Sequence, residues 1–345
     1  MKLLAKIHKN RTYNYIIRFA IVIGTYGFIY KQIFHKKKLE AVVQAFAELL
    51  DEPKIYIFTL WVFGLMLVNW GIESLKWQFL ISKIEKIPFV RSFMAVLAGV
   101  SVSAFTPNRV GEYFGRVFIL EKGNPWQGVF ITIIGSMSQL LTTIIVGSVA
   151  LLFFVQIYLG DAGFYSDYLY YAMVFLVLVI VTSLILIFLN VSTLPRIIGR
   201  YIRKRFIKIY RYFAIIGYYS TYELAIVLTY SFLRYCIFAI QFYILLLMFS
   251  VEIPLMHGLM IISIVFFVMT AIPTITLAEL GIRGSVSLYF IGLYFERFSA
   301  LNEQINAGII SSSSTLWLIN LAIPALLGTF FVFRLKFFNK RPKDD

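Results

Sequence analysis

One cysteine, Cys236, in a chain of 345 residues excludes an intrachain disulfide and leaves the redox compartment unreadable. The three histidines are scattered too widely for metal-ligand spacing. Charge is scarce too, at 14% of residues, and acidic residues are the rarer sign, 17 against 32 lysines and arginines. There is no P-loop, no catalytic-triad spacing and no metal motif, so neither ATP hydrolysis, a catalytic residue, a metal nor a cofactor is assigned. What fills the chain is apolar: 60% hydrophobic residues and a mean hydropathy of +0.82 exceed what one soluble core can hide. The net charge of +15 has the sign of a nucleic-acid binder. Most lysines and arginines, however, sit at the ends of apolar spans, where they orient helices against an anionic leaflet, and no nucleic-acid partner is expected.

The pattern predicts an all-α polytopic membrane protein, a single transmembrane domain over residues 1–345. Six full spans are placed at Tyr13 to Phe34, Ile55 to Trp77, Trp126 to Leu159, Tyr168 to Leu189, Leu224 to Phe249 and Ile305 to Phe333. The basic N-terminus before the first of these resembles a signal peptide, but no small-residue cleavage site follows, so a retained span is expected. Two further apolar stretches, Phe89 to Thr106 and His257 to Ile272, stop at proline and read as re-entrant helical hairpins. The second has a return limb from Ser285 to Phe295 that would rise only about 16 Å. The segment from Pro195 to Arg211 is dense in arginine and lysine and belongs in the cytoplasm, which puts both termini there; Lys36 to Lys38 is the loop that disagrees. The same segment interleaves Ile197, Tyr201, Phe206 and Ile209 with its basic residues and reads as an amphipathic helix on the anionic inner leaflet.

Two distant stretches repeat one pattern. Thr106-Pro107 is followed by Glu112 and Arg116, and Pro273-Thr274 by Glu279 and Arg283, so each apolar segment breaks at proline and then carries a Glu and an Arg four residues apart. With three full crossings in each half, repeat one (about 13–159) and repeat two (about 168–333) are inverted, and their hairpin tips are expected to meet near the midplane. The alternative is chance recurrence in two polar loops.

Thr106 is suited to cap a helix whose first position is Pro107, leaving freed N–H groups and a positive dipole end to face an anion. Arg109, Glu112 and Arg116 share one helix face, where either arginine can grip a phosphate in two prongs while Glu112 holds the guanidinium. The competing reading is an ion pair on a wet loop, worth only about a few tenths of a kcal/mol. Thr276 to Glu279 also fits a capping box, so Glu279 is either a site residue or a helix-start device. Gly111, Gly115, Gly281 and Gly284 allow close backbone approach or simple turns. Arg234 lies near the middle of a span, where an isolated arginine costs about 2.5–3.5 kcal/mol, so it requires a partner or a watery cavity. Arg18 and the pair Glu73 and Lys76 fall nearer span ends and are expected to snorkel. The stripe Ser136, Ser138, Gln139, Thr142 and Thr143 suits either helix-to-helix bonding or a lipid path, and Ser311 to Ser314 suit tight packing.

The run SAFTPNRVGEYFGRVFIL, with AELGIRGSV after Pro273, resembles the transmembrane domain of the lysylphosphatidylglycerol synthase family, also called flippase-like or multiple peptide resistance factor proteins. Pro107, Arg109, Val110, Gly111, Glu112 and Arg116 match its first motif, with Asn108 in place of a glycine. Pro273, Leu280, Gly281, Ile282 and Arg283 correspond to its second, with Gly284 where glutamate is usual and Glu279 ahead of the motif. The resemblance implies movement of a lipid between leaflets of a bacterial-type cytoplasmic membrane. Full-length members of that family also carry a soluble aminoacyl transferase domain; none is expected in this chain, so it is not expected to make lysyl-lipid itself. The expected partners are membrane lipids with an anionic or polyprenyl-phosphate-linked head group. The alternatives are a membrane enzyme or accessory subunit acting on a polyprenyl phosphate or phospholipid with Glu112 as general base, or a scaffold for a separately encoded transferase.

Overall fold

The computed structural model describes residues 54–104, 106, 109–159, 166–272, 276–298 and 301–332, together with Phe19, Ala20, Ile23 and Gly27. The expected first span, the Lys36 to Lys38 loop, Pro107, Pro273 and the basic residues after the last span lie outside the described residues, those four positions excepted. Among the described residues there is no strand.

The helices are α1 (Lys54–Ile81), α2 (Phe89–Ser103), α3 (Gly111–Val117), α4 (Pro125–Leu159), α5 (Asp167–Leu189), α6 (Leu194–Tyr201), α7 (Ile207–Phe213), α8 (Thr221–Met248), α9 (Leu255–Ala271), α10 (Thr276–Phe298), α11 (Glu303–Trp317) and α12 (Ile323–Val332). Five stretches among the described residues are long and apolar enough to cross a membrane: α1, α4, α5, α8, and α11 to α12 taken as one. They coincide with five of the six expected crossings. Burial separates their roles. Within the most apolar part of each, only 6% of α5 is buried against 67% of Glu303–Val332, so among the described spans α5 is the most peripheral and the last the most central.

Local sequence accounts for the boundaries. Ser220 and Glu223 close a capping box that starts α8. In the last span Pro324 has no N–H to give the carbonyl of Asn320, and the chain takes a π turn over Leu318–Ala322 between α11 and α12. The basic Pro195 to Arg211 segment forms two short helices, α6 and α7, joined through a tight turn at Lys204–Phe206. Tyr210 pins them by donating to the carbonyl of Pro195 at 3.0 Å.

α1 and α8 pack along their length and run antiparallel, since Lys76 reaches Ser231, Arg234 reaches Asn69 and Gln241 reaches the Val62 carbonyl. Lys83 and Glu223 close one end of the pair at 2.6 Å. α2 follows the C-terminal end of α1, and α9 follows the C-terminal end of α8. α2 then packs against α12, and α9 against α4, so each apolar limb lies on the last span of the other half.

The two limbs that follow the motifs differ in length. α3 is a seven-residue helix, whereas α10 runs for 23 residues, about 34 Å. The short return limb expected over 285–295 is only part of α10. Glu279 and Arg283 satisfy each other one turn apart, so the helix continues through the charges that hydropathy reads as a break.

Candidate functional site

Side chains from α1, α4, α8, both motifs and the last span converge on one cavity of about 630 Å³. Its centre is Glu73. Oε1 accepts from Arg116 Nη1 at 2.7 Å, and Oε2 accepts from Lys76 Nζ at 2.8 Å and Arg234 Nη1 at 3.0 Å. Glu73, Lys76 and Arg116 are 4%, 1% and 3% exposed, so the expected snorkelling of the Glu73 and Lys76 pair does not occur. α1 continues to Ile81, which leaves both residues well short of its end. They were missed as site residues, but a signal is present: Asn69, Glu73 and Lys76 recur at spacings of four and three on one helix face.

Arg234 finds the partners its position demands. Besides Glu73, its Nε donates to Asn69 Oδ1 at 3.0 Å, and the guanidinium lies 5.1 Å from the Trp70 ring centroid. From Asn69 a ladder of amides runs on: Asn69 Nδ2 to Asn320 Oδ1 at 3.2 Å, Asn320 Nδ2 to Gln241 Oε1 at 2.8 Å, and Gln241 Nε2 to the Val62 carbonyl at 2.8 Å. The π turn is the local feature that carries Asn320 into this ladder.

In the first motif Arg116 pairs with Glu112 as well as Glu73. The burial of Arg116 rules out the wet-loop reading. Thr106 caps differently from expectation: α3 begins at Gly111, and Thr106 Oγ1 accepts the Gly111 N–H at 2.9 Å. Thr106 thus occupies the first N–H of α3, and Glu112 in the first turn adds negative charge where an anion would approach, so the side chains of the arginines are the better anion donors. Close approach explains two glycines here. A Cβ on Gly111 would strike the Val102 carbonyl, and one on Gly115 would come within 2.6 Å of Gly99 Cα. Gly284 shows no such need, since nothing lies within 4 Å of an added Cβ.

The motifs meet through Arg109 and Glu279. Arg109 adopts a left-handed backbone, φ 56°, a conformation costing about 1–3 kcal/mol in a non-glycine residue. Its Nη2 donates to both Glu279 oxygens, at 2.8 and 2.9 Å. Arg283 Nη2 donates to Glu279 Oε1 at 2.7 Å, and the guanidinium carbon lies 5.8 Å from the Phe238 centroid. The Glu279 carboxylate is therefore held by two guanidinium groups, while the side chain of Thr276, the other half of the capping box, lies outside the described residues. Gly281 lies between these residues on α10, its carbonyl accepting from Ser285 at 3.0 Å.

The polar stripe on α4 serves two ends. Ser138 bonds Ser231 at 2.6 Å across the α4–α8 contact, whereas Ser136, Gln139 and Thr143 line the cavity. Ser312 donates to the Leu245 carbonyl at 3.0 Å, as tight packing of α11 on α8 requires. Among the described residues, no three histidine, cysteine or acidic side chains gather as metal ligands.

A family model for the lysylphosphatidylglycerol synthase TM region matches residues 15–301. No curated protein and no solved structure shows a significant match. The chain belongs to the lysylphosphatidylglycerol synthase transmembrane family, and so to membrane proteins tied to lipid handling.

Proposed function

From that membership and the charged cavity, we propose that the protein carries the head group of an anionic or otherwise lipid-linked membrane lipid between leaflets, its tails remaining in the bilayer. The observation that carries this reading is the Arg109–Glu279 pair, which joins the two Glu–Arg motifs inside a cavity large enough for a head group. A polar chamber within membrane-spanning helices is costly unless it serves a passing polar group. The antiparallel run of α1 and α8 supports an inverted pair of halves, because α2 and α9 then set out from opposite ends of that pair. The exchanged packing of α2 on α12 and α9 on α4 supports it as well. On this reading the α6–α7 segment lies on the cytoplasmic face and gathers anionic lipid there.

The enzymatic alternative needs a carboxylate free to act as base. Each of the three in this cluster, Glu73, Glu112 and Glu279, is held by at least one cation, which favours carriage. The test is translocation of a fluorescent anionic phospholipid in proteoliposomes, read by a membrane-impermeant quencher. Arg109→Gln and Glu279→Gln should each slow it by about tenfold or more, the worth of a charge-assisted bond. Wild-type rates in both variants, with the protein still folded, would make the pair structural and remove the basis of the proposal.

A further inference from the structure

The charges of the cavity are unevenly matched. The lining residues Lys76, Arg109, Arg234 and Arg283, with Arg116 buried against Glu73 and Glu112 beside them, confront only Glu73, Glu112 and Glu279, a surplus of two positive charges in the cluster. Glu112 is held by Arg116 through Oε1 alone, but Glu73, held by three cations, and Glu279, held by two, have no capacity to spare. The donors do. Among the described residues, Arg109 uses only Nη2, and Arg234 uses Nε and Nη1, which leaves guanidinium N–H groups on both unspent. Both residues line the cavity, and their side chains keep 42% and 21% exposure where those of Glu73 and Lys76 keep 5% and 2%. Arg109 stands in the first motif and Arg234 on α8, so their free donors come from two separate elements. Trp70 and Trp317, also lining the cavity, each keep a buried indole N–H without an acceptor among the described residues. A group rich in acceptors and bearing about two negative charges complements this set, as a phosphomonoester does near neutral pH. A cationic amine head group would meet surplus positive charge and three carboxylates already paired with cations.

We infer that the cavity selects a phosphomonoester-type head group, gripped between Arg109 and Arg234, over zwitterionic and aminoacylated cationic head groups. This rests on the carriage reading but names the charge class that reading leaves open. The chemistry is shared by a lipid phosphomonoester and free inorganic phosphate, and binding to the purified full chain in detergent separates the two. The probes are dioctanoyl phosphatidic acid, dioctanoyl phosphatidylcholine, dioctanoyl lysyl-phosphatidylglycerol and inorganic phosphate, followed by tryptophan fluorescence. Phosphatidic acid should bind saturably and about tenfold or more tighter than phosphatidylcholine, with the lysylated lipid weakest. Arg234→Gln and Arg109→Gln should each reduce its affinity by about tenfold. If Arg234→Gln does not fold, Arg109→Gln, at the more exposed residue, decides alone. Inorganic phosphate that binds as tightly and competes with phosphatidic acid would support the same grip with the free ion as its source. Lysylated lipid binding as tightly as phosphatidic acid, or phosphatidic acid unaffected by the variants, overturns the inference. Its failure is separable from that of carriage: equal transport of all three lipids sinks the selectivity alone, whereas tight phosphatidic acid binding without transport sinks carriage alone.

Discussion

Glu73 is the residue on which the cluster depends, because it is the common acceptor of Arg116, Lys76 and Arg234. Glu73→Gln keeps the shape and removes the charge, so three cations lose their shared counter-charge in a desolvated place. Breaking a buried pair in this way costs about 3–5 kcal/mol. The expected result is a large fall in the thermal unfolding midpoint of the detergent-purified protein, partly restored when Lys76→Met removes one of the orphaned cations. An unchanged midpoint in Glu73→Gln would mean that solvent screens the cluster. Arg234 was legible in the sequence because a lone arginine deep in an apolar run must meet a partner or a watery cavity there. Glu73 was not. An acid and a lysine three apart near a span boundary satisfy each other on paper, and only the length of α1 and the approach of Arg116 and Arg234 from other elements show that they are enclosed.

At the scale of elements, α3 is too short to hold itself as a helix, and its place comes from lying against α2. Gly99 and Gly115 make that contact possible, since a Cβ at Gly99 would come within 2.8 Å of Arg116 Cγ and one at Gly115 within 2.6 Å of Gly99 Cα. Gly115→Val should therefore displace α3 together with Arg116, lowering stability by about 1–3 kcal/mol and lipid translocation with it. Gly284→Ala is the contrasting case: it meets nothing within 4 Å and replaces a mid-helix glycine, so it should be neutral or stabilise by up to about 1 kcal/mol. Thermal unfolding of the two variants side by side checks both signs. The sequence motif marked where each element breaks, yet it did not distinguish the glycines that serve packing from the one that does not. That distinction depends on which backbone lies opposite. The continuity of α10 was hidden for a related reason, because a Glu–Arg pair that neutralises itself across one turn looks polar to a hydropathy count while leaving the helix intact.

At the scale of the whole molecule, the five spans that fall among the described residues were the most legible feature, since about 20 consecutive apolar residues have few homes outside a bilayer. The meeting of the two motifs was expected from their likeness, but the partners were not: Arg109 of the first reaches Glu279 of the second, a pairing 170 residues apart that spacing does not encode. The inverted arrangement proposed above makes a prediction about the two ends of α8. That helix is 28 residues long, about 42 Å, enough to cross the hydrocarbon core. The exposed basic segment before it and the exposed Glu252 turn after it must then face opposite compartments. In a Cys236→Ala background, a single cysteine at Arg203 should react with a membrane-impermeant maleimide only in inside-out vesicles, and one at Glu252 only from the outer face. If both label from one side, α9 no longer starts from the face opposite α2, and the two motifs lose the inverted relation that carriage from leaflet to leaflet requires.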